Sequence, residues 1–354
     1  MPKSQLKYIP ALDGIRGIAA LMIMFFHFFQ NLQTQNSSYF LIKKLSIFGQ
    51  TGVSLFFVLS GFLITRILVN SKRGNNYFKN FYLKRIFRIF PLYYLFLIIF
   101  YFLAPFIFNQ SITPFKEQLY YWIYLQNFAI TFGWKNSGPS QFWSLAVEEH
   151  FYLFWPVLVY YLREKWLKVA IYLIIVLSLI IRFYFLKMNI QVFYFTFTNL
   201  DQLALGSLLA LIEINNKIDP SKIKLFLVLI FIVIVPTILL WNITSGRANM
   251  IIQIIKPSLI SLIYFFLLGL IICLKELNFF NKILRTKFLV FTGKISYGLY
   301  VYHIFCFLLI SHFLKDISIP FSFIFSFGLT FIFAYLSFRF YESYFISFKK
   351  SLKT

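Results

Sequence analysis

Ten long apolar runs divide this chain, and each is close to the length that crosses a bilayer, about 20 mostly apolar residues. They cover residues 9–30, 47–70, 86–108, 142–162, 168–186, 193–213, 225–243, 257–274, 289–312 and 319–342. Hydrophobic residues make up 60% of the 354 and charged residues only 13%, whereas a soluble domain is about 25% charged. We therefore expect an all-α polytopic membrane protein with about ten transmembrane helices.

One further apolar stretch, residues 115–132, is short and interrupted, so we place it as an interfacial or re-entrant piece outside the membrane. Nowhere is a connection long enough to hold a second domain. The sequence thus predicts a single transmembrane domain over residues 1–354.

The distribution of Lys and Arg predicts how the chain is oriented. If the N-terminus is cytoplasmic, 21 of the 34 basic residues lie in cytoplasmic connections and 8 in outer ones. Cytoplasmic loops carry the excess of positive charge in membrane proteins. We expect both termini in the cytoplasm. Because topology accounts for the net charge of +23, we expect no nucleic acid partner.

The two cysteines, Cys273 and Cys306, lie near or within apolar runs. They provide neither a disulfide framework nor a metal-ligand spacing. We predict no metal site.

Six ionisable residues lie in the outer half of the predicted spans, where burying a charge is costly and usually has a function. They are His27, Glu148, Glu149, Arg182, Asp201 and His303. A shared depth favours one common polar cavity. The alternative is that some of them, for example Arg182 with Asp201, pair only to hold helices together.

The first span carries a polar stripe. Arg16 and His27 are eleven residues apart, which on an α-helix is about 16 Å along the axis and nearly the same direction around it. Asp13 lies one turn before Arg16 on almost the same side. Taken alone, Arg16 is also explained by snorkelling to the inner interface. Gly14 and Gly17 would allow close helix packing.

A second basic group begins the third span, where Lys84 precedes Arg85 and Arg88. Arginines three positions apart are neighbours on a helix, and guanidinium groups bind phosphate well. The group therefore suits a phosphate-bearing ligand. Its alternative explanation is ordinary topology-setting charge.

Several blocks resemble the acyltransferase-3 family of membrane O-acyltransferases, in family order over nearly the whole chain. These blocks are Leu12–Leu21 running to His27, Gly52–Ile64, Arg85–Tyr93, Phe142–Tyr152 with Trp155 and Pro156, Asp201–Gly206, and Ile295–His303.

The resemblance implies transfer of an acyl group, commonly acetyl, from cytoplasmic acyl-CoA to a hydroxyl of an extracytoplasmic or lipid-linked carbohydrate. It implies no permanently bound cofactor and a place in the cytoplasmic membrane. The family's R-x10-H motif maps onto Arg16 and His27, and its R-x-x-R motif onto Arg85 and Arg88.

The family's acidic motif maps onto Glu148, with Glu149 beside it. Relatives often have Arg two residues before Asp201, where this chain has Asn199, so Arg182 is the substitute we expect. Some relatives also carry an extracytoplasmic hydrolase-like domain, which we do not expect here.

We expect His27 to act as general base, because imidazole titrates near neutral pH. Glu148 would orient it or relay the proton, and Ser144 would donate to the developing oxyanion. Two alternatives are an acyl group carried covalently by His27 and a nucleophilic Cys306.

Two other functions remain open at this point. One is a transporter or exporter of a lipid-linked sugar, and the other is a scaffolding subunit. The sequence leaves the oligomeric state open.

Overall fold

The computed structural model describes residues 8–32, 38–215, 218–243, 249–274 and 278–351, and all regular structure in these ranges is helical. The all-α prediction is confirmed. Within the described residues, eight helical segments are long and apolar enough to cross a membrane. They are Pro10–Gln30, Tyr39–Ser71, Tyr77–Ile107, Glu164–Lys187, Pro220–Leu240, Met250–Cys273, Ser296–Phe313 and Ile319–Phe348.

We number the α-helices α1 to α17 in chain order. They are α1 Pro10–Gln30, α2 Ser38–Ser46, α3 Gly52–Ser71, α4 Tyr77–Ile98, α5 Ala104–Ile107, α6 Phe115–Trp122, α7 Gln126–Thr131, α8 Trp143–Tyr161, α9 Glu164–Lys187, α10 Leu200–Ile214, α11 Ile223–Ile243, α12 Met250–Cys273, α13 Phe279–Leu284, α14 Lys287–Lys294, α15 Ser296–Phe313, α16 Ile319–Leu336 and α17 Ser343–Ser351.

Two predicted spans are not among the eight. The run 142–162 forms α8, which has 19 residues and carries two adjacent glutamates. The run 193–213 begins too early, because residues 193–199 form a loop with a 3-10 turn and α10 has only 15 residues. Fifteen residues rise about 22 Å, less than the roughly 30 Å of a bilayer core. Ten spans and cytoplasmic termini therefore stay predictions.

The stretch 115–132 forms two short helices, α6 and α7, of 8 and 6 residues. Its interfacial or re-entrant place outside the membrane stays a prediction. This piece supports the beginning of α8, since the side-chain amide of Gln126 donates to the carbonyl of Phe142 at 2.8 Å.

Glycines on α1 allow an unusually close approach of its neighbours, as the sequence predicted. A Cβ atom added to Gly14 would lie 1.9 Å from the carbonyl oxygen of Leu284, and one added to Gly17 would lie 2.6 Å from that of Leu289. On the facing helix α14, a Cβ on Gly293 would lie 1.8 Å from the carbonyl oxygen of Asp13. This packing fixes the stripe of α1 relative to α13 and α14.

α3 and α10 pack in the same way. A Cβ on Gly61 of α3 would lie 1.9 Å from the carbonyl oxygen of Leu203 on α10. A Cβ on Gly206 of α10 would lie 1.9 Å from the carbonyl oxygen of Val58 on α3. Small residues at such crossings are typical of membrane helix pairs, because lipid supplies no hydrophobic drive for association. α3 is thereby held between α1 and α10, with α8 on a further side.

Two π-helical turns interrupt the long helices. Ile99–Leu103 separates α4 from α5, and Ser337–Glu342 separates α16 from α17. A π turn contains one residue more than an α turn and is often found at functional sites. The second turn brings Glu342 into the interior, where it is 5% exposed.

Candidate active site

The rings of His27 and His303 face each other across α1 and α15. Nδ1 of His27 lies 2.9 Å from Nε2 of His303, and Nδ1 of His303 lies 2.8 Å from the carbonyl oxygen of Tyr300. His303 is fully buried, whereas His27 is only partly buried. Nε2 of His27 is therefore the ring nitrogen that this contact leaves free for a substrate.

The other end of the same α1 stripe carries Arg16, one of three clustered arginines. Arg16 lies 3.8 Å from Asp13, and the two side chains are 22% and 18% exposed. The positive charges of Arg16, Arg85 and Arg88 act on one another. The guanidinium of Arg85 also lies over the Tyr152 ring, 5.0 Å from its centroid. Arg16 of α1 therefore shares one basic group with Arg85 and Arg88 of α4.

Arg85 and Arg88 lack close counter-ions. Among the described residues, neither lies within 4.0 Å of a carboxylate oxygen, whereas Arg16 has Asp13. Both side chains are only partly buried, so each keeps some exposed surface. Cations held together in a poorly hydrated site repel one another. An anionic ligand would relieve that repulsion.

The carboxylates of α8 lie at the arginine end of the stripe, not at the histidine end. Oε1 of Glu148 accepts a hydrogen bond of 2.6 Å from Ser60 on α3, and its charge acts on Arg16 and Arg85. Glu149 also faces Arg85. The described contacts of His27 include neither glutamate. The expected relay between Glu148 and His27 is therefore not formed, because His303 is the partner of His27.

Glu342 belongs to the same charge group, and sequence reasoning missed it. Its Oε1 accepts from Ser337 at 3.1 Å, and its charge acts on Arg88. The signal was present, since Glu342 is the last residue of the predicted span 319–342. It was overlooked because an acidic residue at the end of a span ordinarily lies in water.

Ser144 is engaged in the interior. Its Oγ lies 2.5 Å from the Tyr300 hydroxyl and 3.4 Å from the carbonyl of Gln141, and Tyr300 donates to that carbonyl at 2.6 Å. The two hydroxyls carry two protons, and one chain of bonds to the Gln141 carbonyl uses both. Ser144 thus has no proton left for an oxyanion in this arrangement.

Arg182 and Asp201 form a separate buried cluster. Their side chains meet at 2.6 Å and are 1% and 0% exposed. Arg182 also donates to the Thr198 carbonyl at 2.8 Å, and the hydroxyl of Ser258 donates to Asp201 at 2.5 Å. Here the alternative explanation applies, in which the two charges pair to hold helices together, and Arg182 is the partner of Asp201 as expected. Asn199 instead donates to the carbonyls of Phe193 and Phe195, at 2.9 Å each.

The prediction of one cavity shared by six ionisable residues is wrong. Contacts divide them into a histidine pair, a carboxylate pair with the arginines, and the Arg182–Asp201 pair. Asp201 also lies in the first turn of α10, because residues 193–199 of its predicted span form a loop. Equal depth could not show this, because depth does not give the direction in which each side chain points.

The described residues offer neither an exposed thiol nor a cluster of metal ligands. Cys306 is fully buried. Among the described residues, no group of three or more His, Cys, Asp or Glu side chains could hold a metal ion.

Comparison with known proteins decides the family. Residues 9–339 match a family model described as an acyltransferase domain. The chain belongs to the acyltransferase-3 family. Membership confirms the predicted resemblance and the class of enzyme, and it accords with the multi-pass membrane architecture. Within the family match lie the arginine cluster, the histidine pair and both glutamates of α8.

Curated relatives in this family are named for O-acetyl transfer. A Staphylococcus aureus (strain COL) protein named "Putative O-acetyltransferase" is 30% identical, over 96% of this chain and 57% of its own length. The peptidoglycan O-acetyltransferase of Listeria monocytogenes is 27% identical, over 95% of this chain and 56% of its own. The chain thus spans about half the length of these relatives. No solved structure matches it.

Proposed function

We propose that this acyltransferase-3 chain transfers an acetyl group from acetyl-CoA to a hydroxyl of a cell-envelope carbohydrate, with His27 as general base. One observation carries the proposal: a single face of α1 joins a cluster of three arginines to a histidine whose Nδ1, and not its Nε2, contacts His303. The separation along the helix is about 16 Å. A long thioester with phosphates at one end fits such an arrangement.

The arginine cluster is the donor's phosphate site. Arg85 and Arg88 project from one face of α4, and no carboxylate of the described residues lies within 4.0 Å of either. Guanidinium groups make strong bidentate bonds to phosphate. Glu148, Glu149 and Glu342 also act on these arginines, but none of them forms an ion pair with Arg85 or Arg88. In the proposed orientation this end faces the cytoplasm, where acetyl-CoA is found.

The reaction takes place at the histidine end. Nε2 of His27 removes the proton of the acceptor hydroxyl while its oxygen bonds to the thioester carbonyl carbon. The carbon–sulfur bond then breaks, and His27 returns the proton to the departing thiolate. The products are an O-acetyl ester and free coenzyme A. No covalent enzyme intermediate is required, and the described contacts of His27 include no second nucleophile.

The name of one relative supports the proposed acceptor class. Peptidoglycan is named for the Listeria monocytogenes relative, and we propose a related carbohydrate, extracytoplasmic or lipid-linked, for this chain. The proposed location is the cytoplasmic membrane, which meets both donor and acceptor. Because the relatives are longer, the single domain over residues 1–354 stays a prediction.

The test is acetyl transfer by the purified chain in lipid nanodiscs. Acetyl-CoA with a labelled acetyl group is supplied with a lipid-linked peptidoglycan disaccharide, and both label transfer and thiol release are followed. We expect transfer by the wild type and its loss in His27→Ala. The matched control is His312→Ala, since His312 lies at the far end of α15 against Phe108.

Unchanged transfer by His27→Ala would refute the scheme. Transport is the competing function, and it predicts movement of the disaccharide lipid across sealed vesicles without acetyl-CoA consumption. That result would replace the proposed activity.

A further inference from the structure

The hydrogen bonds of the histidine pair have a fixed direction. Nδ1 of His303 lies 2.8 Å from the carbonyl oxygen of Tyr300. A carbonyl oxygen only accepts, so Nδ1 of His303 must carry the proton of that bond. In a neutral imidazole the other nitrogen is then an acceptor. Nε2 of His303 therefore has a lone pair directed at His27.

The same reasoning fixes the proton on His27. Nε2 of His303 accepts across a distance of 2.9 Å, so Nδ1 of His27 must donate. A neutral His27 then has its proton on Nδ1 and a lone pair on Nε2. Nε2 is the nitrogen that the proposed reaction needs in its basic form.

The group that sets the tautomer of His27 is neutral, which is unusual. A carboxylate commonly orients a catalytic histidine and stabilises its protonated form. Here no carboxylate of the described residues acts on either ring, and the acceptors beside the rings are backbone carbonyls: those of Tyr300 and Leu299 at His303, and that of Ile23 at His27. A backbone carbonyl, fixed by the α15 helix, takes the part of the orienting acceptor. The pair therefore selects a tautomer without adding negative charge.

We propose that His303 is a positioning residue that holds His27 in the tautomer with a proton on Nδ1 and a basic Nε2. The proposal rests on the general-base role of His27. His303 does not touch substrate in this scheme. It acts through His27: the carbonyl of Tyr300 fixes the proton of His303 on Nδ1, and the free lone pair on Nε2 of His303 then accepts from Nδ1 of His27.

Nitrogen-15 NMR of the full chain in nanodiscs tests the tautomer directly. The protein has four histidines, so single substitutions assign their signals, and protonated and unprotonated ring nitrogens have well-separated shifts. At a pH where both rings are neutral, we expect protonated Nδ1 and unprotonated Nε2 for both His27 and His303. A protonated Nε2 on either ring would overturn the proposal.

Kinetics test whether the tautomer matters. His303→Leu removes the acceptor and should lower kcat by about 10- to 100-fold, the size of loss seen when the hydrogen-bond partner of a metal-binding histidine is removed. His303→Gln can place its side-chain oxygen near the lost Nε2 and should recover most of kcat. The KM for acetyl-CoA should change little, because the arginines bind the donor.

A buried substitution can also unfold the protein, so the thermal midpoint of each variant is compared with that of the wild type. The NMR measurement is independent of this concern, because it reads the tautomers in the wild-type protein. His312→Leu, on the same helix, is the control and should keep full activity. An inactive His27→Ala beside a fully active His303→Leu refutes this inference alone. An active His27→Ala refutes the proposed function, and this inference with it.

Discussion

Arg182 and Asp201 meet at 2.6 Å between α9 and α10, with almost no exposed surface on either side chain. Ser258 of α12 bonds to both members, which ties a third helix to the pair. The Thr198 carbonyl takes further guanidinium protons. The cluster is thus extensively hydrogen-bonded, which is the condition under which a buried ion pair persists.

Removing one charge of this pair should be costly. Arg182→Met leaves Asp201 buried without its partner, and breaking such a pair costs about 3–5 kcal/mol. We expect a large drop in the thermal midpoint, measured by fluorescence-detected size exclusion. The double variant with Asp201→Leu removes both charges and should recover much of the loss.

The control is Lys168→Met on the same helix, because the side chains of its ion pair with Glu164 are 34% and 46% exposed, and ion pairs near the surface contribute little. Equal losses in Arg182→Met and Lys168→Met would contradict the buried-pair interpretation.

Close packing on α1 makes a second prediction. Gly14→Ala places a Cβ 1.9 Å from a backbone oxygen of Leu284, so α1 and α13 must separate. We expect lower thermal stability and lower activity, since Arg16 lies on the displaced helix. Gly328→Ala on α16 has open space around the new atom, and alanine stabilises a helix by about 0.5–1 kcal/mol. A destabilised Gly328→Ala with an unaffected Gly14→Ala would reverse this interpretation.

Donor binding makes a third prediction. Arg88→Gln removes a charged phosphate donor, and hydrogen bonds to charged groups contribute about 1.5–3 kcal/mol. We expect KM for acetyl-CoA to rise about 10- to 100-fold, with kcat less affected. Initial rates at varied acetyl-CoA give both constants.

Acetylpantetheine, which has the thioester but no phosphate, separates charge from folding. Arg88→Gln should turn it over at the wild-type rate. Arg73→Gln is the matched control, because Arg73 is exposed and precedes the same helix. A variant equally impaired with both donors would show that Arg88 supports the fold and not the phosphates.

Ser144 makes a fourth prediction. Its proton and that of Tyr300 are both used in one chain of hydrogen bonds that ends at the Gln141 carbonyl. Loss of a true oxyanion donor lowers kcat by about 10²–10³-fold, so Ser144→Ala should cost less than about tenfold. Single-turnover rates at saturating acetyl-CoA provide the measurement. A drop of the larger size would restore Ser144 as the donor to the oxyanion.

Much of the site follows from patterns along one helix. The stripe of Arg16 and His27 and the pair Arg85 and Arg88 depend on helical periodicity, which the sequence displays directly. Close packing at Gly14 and Gly17 was predictable for the same reason. The all-helical architecture follows from run length and composition.

Relationships between helices were not predictable. His27 and His303 are 276 residues apart, and apolar periodicity gives each a depth but no direction relative to the other. Glu148 has a similar depth, and it faces Ser60 and the arginines because of how α8 is rotated. The predicted span 193–213 begins before the helix does, because the aromatic loop residues at its start are as apolar as helical ones.

The π turn at Ser337–Glu342 has a consequence for changes of chain length. Phe348 of α17 stacks on Phe87 of α4 with ring centroids 6.1 Å apart. A π turn absorbs one additional residue without rotating the helix beyond it, so deleting exposed Phe340 would leave this stack facing α4. The same deletion inside α16 would rotate every later residue by about 100°. A one-residue deletion should therefore be tolerated best at the exposed positions of this turn, Arg339 and Phe340.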